Sequence, residues 1–426
     1  MSNEKQILVF GDWVSLGKPS SVGTLSVSKT RGEEIFSFEY DQNWLDRADP
    51  QVLDPSLDLF EGRQYPAANK ANFGIFLDSC PDRWGRMLME RKEVLQARTE
   101  KRPPRTLMES DFLLGVFDKH RMGGLRFKTP DSSDFQNSDP THTAPPWTRL
   151  RELQNASKQV EEQNEQEDAS AQFKWVKMLI APGSSLGGAR PKSSVVDADN
   201  QLWIAKFPSK NDRRDVGLWE QLVYLLALES QIVMSESRVT QFSSEYHTFT
   251  TKRFDRIGID KRLHFASAMT LLQRDDGDDY SDGVSYIELV EFLMSNGSQT
   301  DTDLEQLWRR IVFFMCISNT DDHLRNHGFL LEQDGWKLAP AYDVNPISDS
   351  TGLKLNVSEK DNSLDLELAK EVAPLFRVEK TKMNKIIREV VAVVKTWKQK
   401  AEYLGLRRSE QDQMQSAFRV AEQYSG

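Results

Sequence analysis

Four groups of residues in this chain have the types and spacing that phosphate chemistry needs. The first is Pro182-Gly183-Ser184-Ser185-Leu186-Gly187-Gly188-Ala189-Arg190-Pro191-Lys192. Glycines let the backbone approach a phosphate closely, successive N–H groups can cradle its oxygens, and Arg190 and Lys192 supply positive charge. The stretch matches neither Walker A nor the usual Gly-rich loop of protein kinases, so alone it also reads as an ordinary turn. The second is Lys206, on a strand face shared with Leu202 and Ile204. A lysine so placed either snorkels from an edge strand or meets an anion. In a kinase it would contact the α- and β-phosphates and pair with a carboxylate on the next helix, where Glu220 is the candidate.

The third group is Asp321 with Asn326, in Ser318-Asn319-Thr320-Asp321-Asp322-His323-Leu324-Arg325-Asn326. Protein-kinase catalytic loops place an asparagine five residues after the catalytic aspartate, and the same interval separates 321 from 326. The aspartate must reach a substrate hydroxyl to orient it and take its proton. The asparagine carbonyl must face back into the same pocket to ligate Mg²⁺, and a short loop satisfies both demands. Asp322 would shorten the interval by one residue, so spacing alone selects Asp321. The fourth group is Asp343, in Pro340-Ala341-Tyr342-Asp343-Val344, placed to be a second metal carboxylate. A competing reading puts zinc on Asp322, His323 and His327, the histidines being four apart. Against it, Gly328 follows at once and no glutamate stands between the histidines. No Gly-x-Ser-x-Gly elbow supports a serine hydrolase.

The elements that must hold these groups are legible in outline. Residues 7–40 read as an antiparallel set of strands, with Phe36, Phe38 and Tyr40 on one face at period two and glycines between the runs. Helical character follows around Asp82–Gln96. From Thr129 to Gln172 prolines mix with polar residues, which reads as a linker or surface excursion holding one helix from Pro146 to about Gln163. A second set of strands is expected from near Phe173, then an alternating strand at Gln201–Pro208, a helix over 215–230 and a strand at His247–Phe254. After residue 284 the pattern is nearly all helical, with Met383, Ile386, Ile387, Val390, Val391, Val394 and Trp397 in one apolar stripe. Ser409 three residues before Asp412 has the form of a capping box. The fold class expected is α+β: an N-terminal domain with an antiparallel sheet (1–128), the excursion (129–172), a small β-containing lobe (173–283) and a mostly α-helical C-terminal lobe (284–426).

Composition narrows the function classes. With 426 residues, 38% hydrophobic, the chain is long enough for two or three cores. Its net charge of −10 argues against a stand-alone nucleic-acid binder. The local basic run Arg91, Lys92, Arg98, Lys101, Arg102 and Arg105 reads as a solvated helix end running into Pro103-Pro104. The two cysteines, Cys80 and Cys316, imply no disulfide framework and fit a reducing cytosol, with Cys316 expected to be buried. The polar N-terminus lacks a signal-peptide core and no apolar run approaches membrane-spanning length, so a soluble cytoplasmic protein is expected.

In this order and spacing the chain resembles the HipA-type kinases, the toxin components of bacterial HipA–HipB toxin–antitoxin systems. The resemblance runs through Asp78-Ser79-Cys80-Pro81-Asp82-Arg83-Trp84-Gly85-Arg86, Gly123-Gly124-Leu125-Arg126-Phe127, Ser185 to Lys192, Ile204-Ala205-Lys206-Phe207-Pro208, Arg253-Phe254-Asp255-Arg256, Asn319 to Asn326 and Tyr342-Asp343-Val344. It implies that Lys206 contacts ATP phosphates, with Lys192 and Ser185 also on the nucleotide. It implies that Lys252 and Phe254 offer backbone hydrogen bonds to adenine and that His323 sits near the phosphates. Asp321 would be the catalytic base and Asn326 and Asp343 the Mg²⁺ ligands. Ser185, or its neighbour Ser184, matches the serine that such kinases autophosphorylate to switch themselves off. A HipB-like helix-turn-helix antitoxin, operator DNA reached through it, and a protein substrate such as a translation component are the implied partners. The chain departs from the family at Arg190-Pro191, at His264–Leu272 and at Asp322. Two other functions stay open at this level: a non-catalytic module that holds an antitoxin, and a small-molecule kinase.

Overall fold

The computed structural model describes residues 4–47, 51–138, 144–162, 169–180, 188–242, 245–258 and 260–425. The chain forms two compact units, Met1–Asn211 with Asp255–Ala266, and Asp212–Phe254 with Ser267–Gly426. It is an α+β protein with antiparallel sheets, as the strand and helix periodicities require.

The first unit is built on a four-stranded sheet in the order Glu33–Tyr40, Ser20–Thr30, Lys5–Gly11, Leu125–Lys128, all neighbours antiparallel. Register puts Ile7 opposite Leu25, Leu25 opposite Phe38, and Val9 opposite Phe127, so one face is a continuous apolar layer. Phe36, Phe38 and Tyr40 are all buried, as their period-two spacing predicts.

Helix Arg83–Thr99 starts where Asp82 caps it, its carboxylate accepting from the Gly85 N–H at 2.8 Å. It packs with helix Ala169–Ile180, which packs in turn on helix Leu150–Glu162. The stretch read as a linker therefore contains a packed helix, whose Leu150, Leu153, Ala156 and Val160 are buried at helical spacing. The strands expected from Phe173 begin instead at Lys192, with hairpin Lys192–Val196 and Leu202–Lys206. Buried Val176 and Leu179 lie three residues apart on one helix face, and that period decides the matter.

The resemblance motifs of this unit have structural reasons. Asp82 also pairs with Lys192 at 2.7 Å, and the Trp84 indole donates to the Lys192 carbonyl at 3.0 Å. Gly123 sits at φ +72° and its N–H donates to Asp255 at 2.9 Å. The next amide, Gly124, donates to His264 Nδ1 at 3.4 Å, while Trp13 stacks on the ring with centroids 4.7 Å apart. Nδ1 thus acts as acceptor, and burial drives the His264 pKa from 6.5 down to about 3. The unfolded chain takes up this proton below pH 6.5 and the native one does not. Folding stability should therefore be at full value above pH 6.5 and fall by about 1.4 kcal/mol per pH unit down to about pH 3. Urea titrations at pH 7 and pH 5 check this, with His264→Gln expected to flatten the difference.

The second unit places hairpin Ser237–Thr240 and Thr248–Lys252 beside helix Val216–Glu229. Asp215 caps that helix through the Leu218 N–H at 3.1 Å. Gly217 lies so close to the His247 carbonyl that a Cβ there would overlap it. The centre of the unit is helix Thr300–Ile317, in which every residue from Leu307 to Ile317 is buried. Cys316 is among them, as expected. Helix Lys380–Val394 packs against it through the predicted stripe, but the stripe crosses a helix break and Trp397 opens the next helix, Trp397–Leu404. Ser409 does not cap: helix Arg408–Met414 already includes it, with Arg407 at the N-cap, and Arg408 reaches Asp412 at 3.2 Å. The region after 284 is less uniformly helical than its composition suggests. A hairpin, Gly328–Glu332 with Gly335–Leu338, turns through Gln333-Asp334, and Asp334-Gly335 was the signal for it. Among the described residues no helix is long and apolar enough to cross a membrane.

Candidate active site

Helix Thr300–Ile317 ends at Ser318, a non-glycine residue at φ +52°, where the Asn319 N–H returns to the Phe314 carbonyl at 2.9 Å. This left-handed residue turns the chain sharply out of the core. Ser318 is pinned on two sides: its hydroxyl donates to the Ala417 carbonyl at 2.8 Å, and its carbonyl accepts from the Ile347 N–H at 3.1 Å. The loop then closes on itself. The His323 N–H donates to the Asp321 carbonyl at 3.1 Å, the Asn326 N–H to the His323 carbonyl at 2.8 Å, and Asn326 Nδ2 to the Asp321 carbonyl at 3.1 Å. Asp321 and Asn326 are thereby fixed together by the short turn Leu324–Asn326.

The two adjacent aspartates have opposite environments. Asp322 is buried, accepting from the Tyr286 hydroxyl at 2.6 Å and bonding His327 Nε2 at 2.7 Å. Burial, and then the facing carboxylate, hold the Tyr286 phenol well above its ordinary pKa, so it remains a donor. Asp322 and His327 are thus spent on one another, and no group of three His, Cys, Asp or Glu among the described residues is arranged to hold a metal. Asp321 is exposed and lines a cavity of about 170 Å³. Asp343, Arg214, Asn319 and Asn345 line the same cavity.

Asp343 reaches that cavity from a segment held at several points. Arg310 donates to the Ala339 carbonyl at 2.6 Å, and the Ala341 N–H donates to the Val233 carbonyl at 2.8 Å. The Tyr342 hydroxyl donates to the Arg325 carbonyl at 2.8 Å, which ties the segment to the Asp321 loop. Asp343 itself takes φ +56°, a left-handed conformation that aspartate tolerates better than most residues. Asn345 follows, its N–H donating to Asn319 Oδ1 at 3.1 Å.

Several buried polar atoms here lack a protein partner among the described residues: Asn326 Oδ1, Asn345 Oδ1, Asn319 Nδ2 and His323 Nδ1. Buried polar atoms are nearly always satisfied, and Asn319 and Asn345 line the cavity with Asp321 and Asp343, which fits a polar ligand there. The donor set also suits Mg²⁺, which favours hard oxygens and takes one or two protein ligands together with phosphates. Asn326 Oδ1 and the Asp343 carboxylate are the atoms of that kind.

The remaining expected site residues fall as follows. Lys206 ends its strand in the first unit, and Glu220 is buried on helix Val216–Glu229 of the second. Lys192 is buried in the first unit, where Asp82 neutralises it. The Lys252 N–H is already engaged by the Glu236 carbonyl at 2.8 Å, and the Phe254 ring lies 5.4 Å from Tyr342. Ser184 and Ser185 lie outside the described residues. Arg214 was not anticipated. It lines the cavity with Asp321 and Asp343, and no ion pair holds it among the described residues; the Arg213-Arg214 pair just before the capping Asp215 is its signal in the sequence.

Comparison with known proteins bears on the family and the fold. A sequence profile of the HipA-like C-terminal domain matches residues 184–397. A Haemophilus influenzae protein named "Putative kinase" is 27% identical over 195 residues, covering 42% of this chain and 57% of that one. A Sinorhizobium fredii protein, "Putative kinase Y4mE", is 25% identical over 182 residues, covering 38% and 41%. The chain therefore spans about half the length of these relatives. A solved structure from Shewanella oneidensis MR-1, described as the toxin–antitoxin system HipA, HipB and its operator DNA complex, superposes with a TM-score of 0.66. It covers 95% of both chains at 15% identity, which is a likeness of fold.

Proposed function

The chain belongs to the HipA-like family, and on that premise we propose that it is a Ser/Thr protein kinase that transfers the γ-phosphate of ATP to a protein hydroxyl. The observation that carries the reading is the pairing of Asp321 and Asp343 on one cavity, with the unpartnered Asn326 oxygen fastened to the same loop. In this reading Asp321 accepts the proton of the substrate hydroxyl as its oxygen attacks the γ-phosphorus, and the bridging oxygen leaves with ADP. Asn326 and Asp343 would hold Mg²⁺, which supplies charge neutralisation at the phosphates. Arg214 adds a cation to that cavity, and Lys206 is assigned to the nucleotide phosphates by the family resemblance.

The same reading assigns self-phosphorylation to Ser185 or Ser184, by likeness to the family's regulatory serine. It assigns a HipB-like partner by the fold shared with the Shewanella complex. With a net charge of −10, contact with operator DNA would come through that partner. The site residues favour catalysis over a purely binding role, because the exposed Asp321 carboxylate makes no hydrogen bond or ion pair among the described residues. A cytoplasmic location and a translation-component substrate complete the proposal.

Calorimetric titration with ATP tests the nucleotide and metal assignments together. Binding should strengthen when Mg²⁺ is added, and Asp343→Asn should lose that gain. The loss should reach at least about tenfold, no less than for losing an outer-shell partner of a metal site. Asparagine keeps the shape and accepts the left-handed backbone, so the loss would report on charge. Equal binding with and without Mg²⁺ in both chains would remove the metal assignment.

A further inference from the structure

A second cavity, of about 380 Å³, lies wholly within the first unit and plays no part in the proposed chemistry. Its wall draws on the start of the first strand, helix Arg83–Thr99, helix Glu109–Gly115 and Ile180. The charged groups on it are Lys5, Lys92, Arg105, Glu93 and Asp111. Both carboxylates are already satisfied. Glu93 is held by Arg102 at 2.5 Å and by the Arg105 N–H at 2.9 Å, and Asp111 by the Arg105 guanidinium at 2.9 Å and the Met108 N–H at 3.1 Å.

The two lysines have no such partner. Lys5 makes one long contact, 3.4 Å to the Ser110 hydroxyl, and neither lysine forms an ion pair among the described residues. Lys92 is half-buried, and burial followed by repulsion from Lys177 pushes its pKa below the ordinary value. Lys92 is thus a partly desolvated ammonium without a counter-charge among the described residues, and with the exposed Lys5 lining the same cavity it marks a place for an anion. The rest of the basic run behaves differently: Arg102 and Arg105 serve Glu93, and Arg98 and Lys101 point to solvent. Met89, Leu107, Leu114, Phe117 and Ile180 add apolar atoms to a lining that is otherwise polar.

We propose that this cavity binds a small-molecule phosphate monoester, its dianion held by Lys5 and Lys92 and its organic group against the apolar side chains of the lining. Two ammonium groups match a dianion better than a single carboxylate. The volume lies at the lower end of the range for small-molecule sites.

Phenyl phosphate is the probe, titrated calorimetrically into the full chain at about 0.15 M ionic strength, where weak surface attraction is screened. Saturable one-to-one binding is expected. Lys92→Met retains the stem and should melt like the parent, yet bind roughly 10- to 100-fold more weakly, as loss of a charge-assisted hydrogen bond implies. Arg98→Met, outside the cavity, should bind as the parent does. Asp321→Asn should too, which separates this site from the proposed nucleotide site. Phenylacetate should bind at least about tenfold more weakly, having half the charge. Absence of saturable binding, an unchanged affinity in Lys92→Met, or equal affinity for phenylacetate would each overturn the proposal.

Discussion

Asp321→Asn should lower the rate of phosphate transfer by roughly 10²- to 10⁴-fold, the usual worth of a general base, while leaving the melting temperature where it was. The two halves of that result rest on one observation. The Asp321 carboxylate is exposed on the cavity it shares with Asp343, whereas its main-chain carbonyl does the structural work of holding Asn326 and His323. Asparagine preserves the backbone and the volume and removes only the ability to take a proton. Initial rates with labelled ATP, set beside thermal melts of the same preparations, give both numbers. A variant as active as its parent would mean that the proton goes elsewhere.

The adjacent substitution should do the reverse. Asp322→Ala should unfold the second unit more easily by about 3 kcal/mol or more, since it leaves both the Tyr286 hydroxyl and His327 Nε2 buried without a partner and each orphan costs about 1–3 kcal/mol. Tyr286→Phe should cost less, because one hydrogen bond is lost and Asp322 keeps His327. Denaturant midpoints at constant slope would measure both. If Asp322→Ala were as stable as the parent, the buried triad would not be holding the loop. Activity would fall in this variant as well, but in proportion to the folded fraction, which distinguishes it from Asp321→Asn.

These neighbouring aspartates also mark where sequence reasoning reaches and where it stops. The five-residue interval links Asp321 with Asn326, and the hydrogen bonds that close the turn all lie between residues 321 and 326. What Asp322 does depends on Tyr286, 36 residues earlier on a different helix, and no local pattern reports a contact of that range. Lys192 is a similar case. It looked like a phosphate ligand by position, and its buried partner, Asp82, comes from 110 residues upstream. Arg214 was passed over because an arginine before a helix cap is unremarkable until the cavity is seen.

The fold was legible where burial imposes a period: the strand face of Phe36, Phe38 and Tyr40, and the helix that Asp82 caps. It was misread where two signals compete. Around Phe173 aromatic and β-branched residues suggested strands, while packing against helices Arg83–Thr99 and Leu150–Glu162 made the segment helical. At 328–338 the helical context hid a hairpin that Asp334-Gly335 announces.

The most direct test of the central claim is where phosphate goes. Wild-type and Asp321→Asn chains, each incubated with Mg²⁺ and ATP, should be mapped by mass spectrometry of their peptides. The account predicts phosphoserine at Ser184 or Ser185 in the wild type and essentially none in the variant over the same time. A wild-type chain that carries no transferred phosphate, or a variant modified as fast as the wild type, would contradict it.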